Sequence, residues 1–456
     1  MRVFGSIAFA LVLASSLPMA AAVREPAGDS FAAAIESPHP VDGRVWRQEV
    51  TVPGASFVKL RLGELSIGEE DLLLVHDGAG SLVFSHVGPM EAGSWLPAAD
   101  GQTAIVELWP AEGSKPWGLW VDEVGRGFGA REGSAAEREE SVCGMNDSRD
   151  PACYDAGRRA LGDAVGRMLF QASDGYWYVC TGSLISPYGH FLTNNHCISQ
   201  ESEAQTLEVR WRYQLSGCAS GSVSYDSVTA GSHLLSTQET LDYSLLVFDG
   251  DDPQSRYGHL DLSTAKPAVG TRIWIPQHPG GNPKKFAVTS DLDGGDATLR
   301  KVGVKGNGAH TDVAYTADTE GGSSGSPVLD DGGLVVALHH FGTGSAACAG
   351  SVMNQGVRMD KIYPAIHGYL GAPQVTSIRK LGNPFRIEVR GAFLSPGIRV
   401  TIDGTEWTSV KVKGEDRLLL KGGSSLKSAV PRDTPVTFHF ENPYVPGGDT
   451  VTWQWP

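Results

Sequence analysis

All six cysteines of this 456-residue chain (Cys143, Cys153, Cys180, Cys197, Cys218 and Cys348) fall in its central part, and none lies in the flanking stretches. What they can do depends on where the chain goes. Arg2, the apolar run from Ile7 to Leu13 and the Ala20-Ala21-Ala22 site have the layout of a secretory signal peptide over residues 1–22. The run is short for a bilayer span, so no membrane partner is expected once the signal is removed. An even number of cysteines in an exported chain reads as three disulfides, with their pairing left open by the spacing alone. No C-x-x-C pair occurs, which argues against a metal site. A covalently stapled middle with cysteine-free flanks is the frame into which the rest must fit.

The flanks read as β structure. The chain carries 57 glycines, and its apolar residues recur in short alternating segments, the pattern of an all-β protein with many turns. Residues 23 to about 40 are rich in Ala, Pro and Ser and read as a flexible leader. From Val45 to Val124, alternating runs such as Phe57-Val58-Lys59-Leu60-Arg61-Leu62 are punctuated by Gly, Pro and Asp, so residues 23–124 are expected to hold an N-terminal β-sandwich. Residues 125–140, glycines followed by Ala135-Ala136-Glu137-Arg138-Glu139-Glu140, read as an exposed linker open to proteolysis. Residues 371–456 alternate again, with Asp403-Gly404 as a hairpin turn, and suggest a small immunoglobulin-like sandwich. A formal net charge of −15 and a pI near 5.3 argue against a nucleic-acid partner.

Three segments of the central part carry chemistry. Asp318 to Leu329 reads D-T-E-G-G-S-S-G-S-P-V-L. A serine hydroxyl becomes a useful nucleophile only with an adjacent base and with N–H groups aimed at the developing oxyanion. Ser324 is the candidate, with the N–H groups of Gly322 and Ser324 as oxyanion hole. Upstream, Phe191 to Cys197 ends an apolar strand on His196, and Asp242 precedes the apolar run Tyr243 to Leu246. Histidine can take the serine proton while a buried carboxylate fixes its tautomer. Asp291, Asp293 and Asp296 hint at calcium but lack an EF-hand's spacing and terminal glutamate, and read as a solvated turn. No cofactor is expected. Adjacent residues of a strand point to opposite faces, so His339 and His340 cannot chelate one metal.

The order His196, Asp242, Ser324, with these local motifs, resembles the trypsin-fold serine endopeptidases of the bacterial branch, which includes lysyl and glutamyl endopeptidases. The resemblance covers about residues 141–370 and implies two packed β-barrels with the triad between them, closed by a helix ending near Tyr369. It pairs Cys180 with Cys197, Cys143 with Cys348 and Cys153 with Cys218. Lying between a signal and a protease, residues 23–124 read as a propeptide, with a retained binding domain as the alternative, and a basic specificity would let the enzyme mature itself by cleavage after Arg131 or Arg138. The Pro396-Gly397 and Asp403-Gly404 turns resemble the IPT/TIG type, a domain suited to holding a surface or substrate. The chain departs from the pattern at Asn194 and Asn195, where small residues are usual, and at Ser323, where animal trypsins have aspartate.

The resemblance implies a secreted enzyme, extracellular or periplasmic in transit, acting on proteins or peptides. Its specificity turns on two residues. Asp318 lies where trypsin places the carboxylate of its S1 pocket and favours Arg or Lys, with His339 on the pocket wall and expected to be neutralised by Asp318. A glutamyl preference through a charged His339 is the alternative. Val357 stands where a lysine-selecting aspartate would be. A binding protein on an inactive protease fold is the rival from another class.

Overall fold

The computed structural model describes residues 24–129, 142–342, 353–414 and 416–455. Cys348 and the linker arginines Arg131 and Arg138 therefore lie outside the described residues, as does the signal segment.

The chain is mostly β, and its central part forms two half-barrels. In the first, the strand Trp177–Leu184 lies between Val165–Gln171 and His190–Thr193. His190–Thr193 in turn pairs with Tyr243–Phe248. Every residue of Tyr243–Phe248 is buried, which is why it reads as a continuous apolar run rather than an alternating one. Trp211 anchors this half, stacked on Tyr257 at 5.1 Å and meeting Phe191 edge-on at 5.9 Å. Such aromatic pairs add about 0.5–1.5 kcal/mol beyond their buried area.

The second half is a seven-stranded sheet among the described residues, in which Pro327–Asp330, Val335–Gly342 and Asn354–Arg358 are neighbours. Ile275, Val313, Tyr315 and Val328 fill its own core. A larger core runs on from Leu192 and Leu245 of the first half to Leu338 and Val357 of the second, so the halves share one apolar floor beneath the cleft. The helix Met359–Ile366 closes the unit and buries Met359, Ile362 and Ile366 along one face.

The N-terminal part differs from expectation at both ends. Residues 25–36 are not a flexible leader but a strand, which pairs with Gly118–Gly127 along most of its length and with Trp177–Leu184 at its start. The small residues Gly28, Ser30 and Ala32 sit in the ladder, Ala27 falls at a bulge, and an added Cβ at Gly28 would lie 2.2 Å from the carbonyl oxygen of Arg126. The expected linker start is corrected too, because Gly125, Arg126 and Gly127 belong to the last strand of this part. Against these strands packs a second sheet, Trp46–Thr51, Thr103–Trp109, Leu72–Asp77 and Leu82–Val87. Leu60, Val121 and Val124 from one layer and Leu73, Val75 and Val106 from the other make the sandwich core.

Through the strand Glu25–Glu36 the sandwich and the first half-barrel form one sheet, twelve-stranded among the described residues. Where they meet, Trp177 is enclosed by Phe57, Trp95 and Ala98. Lys59 reaches across to Glu208 at 2.7 Å, with both side chains buried. The C-terminal part is separate by contrast. Two four-stranded sheets enclose a core of Ile387, Val389, Phe438 and Phe440. It joins the central part through Asn442, whose amide donates to the carbonyls of Gly368 and Gly371.

Candidate active site

The histidine strand ends at Thr193, and the next turns are held by side chains that the apolar pattern does not explain. Asn194 donates to the carbonyl of Asp242 (2.8 Å) and Asn195 to Thr237 Oγ1 (2.8 Å). These amides tie the histidine turn to the segment that carries Asp242. The backbone N–H of His196 then donates to Asp242 Oδ1 (2.9 Å), and Nδ1 pairs with Oδ2 (2.8 Å). With Nδ1 carrying the proton toward the carboxylate, Nε2 is the nitrogen left to act as base. Asp242 is 1% exposed, and burial works against its charge. The His196 and His340 imidazoles outweigh that effect and hold its carboxyl far below the usual range.

Ser324 sits on a loop stitched to both halves. Thr181 of the first half donates its N–H to the Ser324 carbonyl (2.8 Å), and Gly325 donates to the His339 carbonyl of the second (2.9 Å). Ser324 Oγ donates to the carbonyl of His340 at 3.2 Å. Gly325 adopts φ +88°, and a Cβ there would lie 2.0 Å from the Thr181 carbonyl oxygen, so only glycine fits behind the serine. Gly322, at φ +93°, is pressed against the turn Pro279–Gly281 in the same way. Thr181 Oγ1 holds the Gly322 carbonyl (2.9 Å), and the N–H of Gly280 holds that of Gly321. The Gly280 bond fixes the peptide that carries the Gly322 N–H, and Ser326 fixes the one that carries the Ser324 N–H, through its N–H (3.0 Å) and hydroxyl (2.6 Å) on the Ser323 carbonyl; these two N–H groups were expected to form an oxyanion hole. His278, buried beside that turn, donates its own N–H to Thr181 Oγ1 and buttresses the loop.

One side chain of this region went unread in the sequence. His340 is fully buried, and it bonds Asp242 Oδ2 through Nδ1 (3.1 Å) and Asp312 Oδ2 through Nε2 (2.7 Å). An imidazole that meets a carboxylate at each nitrogen needs both protons. Burial disfavours that cation, yet the hydrogen bonds to Asp242 and Asp312 win and raise its pKa to about 9. The pairing of Val335–Gly342 with Asn354–Arg358 shifts register between His339 and Phe341, and such bulges re-aim side chains. The adjacent histidines were the only signal: opposite faces were expected, but not that one face held two carboxylates.

The two expected specificity residues each have protein partners. Asp318 Oδ1 accepts from the Cys143 N–H (2.8 Å) and Oδ2 from the Asp147 N–H (2.6 Å). Its carboxylate is thus turned to the Cys143–Asp147 segment. Burial, the largest effect, lifts its pKa to about 6 despite those two amides. His339 Nδ1 pairs with Tyr315 Oη (2.6 Å).

Disulfides join Cys180 to Cys197 and Cys153 to Cys218, and Cys143 is also disulfide-bonded. His196, Cys180 and Cys197 bring metal-ligating atoms together, but the two sulfurs are spent on each other. Asp291, Asp293 and Asp296 lie on a short hairpin, where Asp293 bonds Thr298 and Arg300.

Residues 145–360 match the family model of the lysyl endopeptidase C-terminal domain. The secreted RxLR effector protein 73 of Plasmopara viticola is 34% identical over 308 residues, 64% of this chain and 72% of that protein. A lysyl endopeptidase of Pseudomonas aeruginosa is 29% identical over 293 residues, 57% of this chain and 59% of its own length. Among solved structures, a Glu endopeptidase covers 49% of this chain and 95% of its own at 19% identity, with a TM-score of 0.35. A serine endoprotease from Yersinia pestis covers 66% and 96% at 11% identity, with a TM-score of 0.34.

Proposed function

The chain belongs to the family of the secreted RxLR effector protein 73, and from that premise we propose that it is a secreted serine endopeptidase acting on proteins or peptides through an acyl-enzyme. Ser324 Oγ attacks the scissile carbonyl while His196 Nε2 takes its proton, and the same proton goes to the leaving amine as the C–N bond breaks. A water then repeats the sequence on the acyl-enzyme. The N–H groups of Gly322 and Ser324 receive the oxyanion. The observation that carries this reading is the two-point hold of Asp242 on His196, at the backbone N–H and at Nδ1. That hold fixes the tautomer general-base catalysis needs. His340, set between two carboxylates, keeps Asp242 ionised and oriented.

A serine-reactive phosphonate tests the reading: label is expected on Ser324, and Ser324→Ala should cost on the order of 10⁶ in kcat. Label at Ser323, or full activity of the alanine variant, overturns it. A binding protein on an inert fold would take no label at all.

For specificity, Arg or Lys before the scissile bond is the finer proposal. Asp318 is a buried carboxylate with two amide donors and no cation among its described partners, and a substrate guanidinium would supply one. His339, held by Tyr315, supports the glutamyl alternative. A peptide library on Asp318→Ser separates them, since unchanged cleavage after Arg removes the role given to Asp318.

We also propose that residues 23–124 stay docked after any cleavage in the linker. Their removal would strip a strand from the barrel sheet and uncover Trp177. The C-terminal part is proposed as an adhesion module.

A further inference from the structure

The strand Glu25–Glu36 begins at the cleft itself. Glu25 pairs with Val179, the residue before Cys180, in antiparallel register. The residue before it, Arg24, donates from Nε to the His196 carbonyl (2.5 Å) and from Nη2 to Glu203 Oε1 (3.0 Å). Its guanidinium also lies over the rings of Phe170 (5.8 Å) and Tyr178 (5.6 Å). On the other side, the Glu25 carboxylate reaches the serine loop, 2.7 Å from where a Cβ on Gly321 would stand. Residues 24 and 25 therefore bridge the histidine and serine loops.

The receiving site is built for a cation. Glu203 is 1% exposed. Its Oε2 is taken by the N–H and hydroxyl of Ser199 (2.7 and 3.1 Å), which leaves Oε1 to Arg24. A buried carboxylate flanked by two aromatic faces and a carbonyl selects a planar guanidinium over a neutral side chain. Its place relative to the chemistry follows from the proton path. Nε2 of His196 must face the leaving amine, and Nε2 lies 3.8 Å from Cys197 Sγ. The leaving-group segment of a substrate thus runs beside the Cys180–Cys197 disulfide, where residues 24 and 25 now lie. From Arg24 onward the chain runs away from the site, as that segment must.

We propose that Glu203, Phe170, Tyr178 and the His196 carbonyl form a subsite for a basic residue directly after the scissile bond, and that Arg24 fills it in cis and competes with substrate. The proposal rests on the peptidase reading and deepens it. Arg24 is an occupant rather than a catalytic residue, so its removal acts only on substrates that need the space.

The test uses the full chain. Arg24→Ala should raise kcat/KM roughly tenfold for peptides with Arg after the scissile bond, since an intramolecular competitor loses its charged anchor. The gain should be confined to such peptides, with smaller changes for Ala at that place and for p-nitroanilides, which have no residue there. Adding Glu203→Gln should abolish the preference for Arg over Ala. Equal gains on all substrates, or an Arg-to-Ala ratio near one in Arg24→Ala, overturn the proposal while phosphonate labelling of Ser324 leaves the peptidase reading standing. If no variant is labelled or cleaves, binding decides. Fluorescence anisotropy on Arg24→Ala should show labelled Arg-Glu-Pro-Ala-Gly binding about tenfold tighter than Ala-Glu-Pro-Ala-Gly, and equal binding overturns the subsite. That comparison varies only the peptide, so it stands even if Glu203→Gln fails to fold.

Discussion

Two clusters of buried charge border the first half-barrel, one behind His196, shared with the second half, and one beneath the N-terminal sandwich. They use one device with opposite signs. Behind the histidine, the His340 cation lies between the Asp242 and Asp312 carboxylates. Beneath the sandwich, the Glu208 carboxylate lies between Lys59 (2.7 Å) and Arg210 (3.1 Å), with Ala98 donating its N–H as well. A charge taken out of water is tolerated only with partners of the opposite sign and well-made hydrogen bonds. The clusters differ in what can change. His340, at about 9, is within reach of alkaline pH. Burial pushes Glu208 upward, but Lys59 and Arg210 overcome that and hold it near 2. The site cluster has its switchable group in the histidine, whereas the carboxylate of the interface cluster stays charged, although burial lowers the Lys59 ammonium against the pull of Glu208.

The sharpest break of this comparison is Asp242→Asn. It leaves His340 with one carboxylate and His196 without the anion that fixes its tautomer, and kcat should drop by about 10⁴ with the fold retained. Steady-state kinetics beside circular dichroism would show it, and a loss under tenfold would mean that the cluster does not serve catalysis.

At the interface, Glu208→Ala leaves two buried cations facing each other and should cost about 3–5 kcal/mol in denaturant unfolding. Replacing Lys59 and Glu208 together by Met should recover much of that stability, because the charges go as a pair. If the double variant is as weak as the single one, packing rather than charge holds the sandwich down.

The pH dependence separates the clusters further. A folded pKa raised above the unfolded value gives stability that is full below the unfolded pKa, about 6.5, and lost as pH rises through about 9. Glu208 has the reverse sign: its contribution is full above about 4.3 and lost only as pH falls toward 2. The stability advantage of the natural chain over His340→Gln in thermal melts should therefore shrink between neutral pH and 9. The acid limb should be alike in the two chains. An advantage that does not change between neutral pH and 9 would remove the alkaline switch.

The smallest effect is expected at Arg126, whose fork onto Asp29 (2.7 and 3.1 Å) is as well made as any buried pair but lies in solvent. Arg126→Gln should leave the melting temperature unchanged within error, since exposed pairs are weak. A clear shift would show that pairing, rather than burial, sets the strength of both clusters.

Much of the site was legible because its parts are local. Gly325 follows Ser324 directly, the apolar strand His190–Thr193 delivers His196, and Asp242 opens the buried strand Tyr243–Phe248. Strand alternation also revealed the sandwiches, since a half-buried strand writes its two faces into neighbouring residues. Periodicity failed where a strand is rich in small residues, and the alanines, prolines and serines of residues 23 to about 40 made that stretch read as a leader.

The letters alone carry the all-β class, the stapled centre with its cysteine-free flanks, and the three segments that hold the candidate triad. Each depends on spacing within a few residues or on composition, and both survive without a fold. Tertiary structure alone decided that Arg24 would reach His196 across 172 positions and that Lys59 would reach Glu208 across 149. It also turned Asp318 to the Cys143–Asp147 backbone and, through a bulge, His340 to two carboxylates. A side chain's partners are chosen by what lies nearest after the chain has packed, and a buried charge must take a partner wherever packing offers one. That choice leaves no trace in the neighbouring letters.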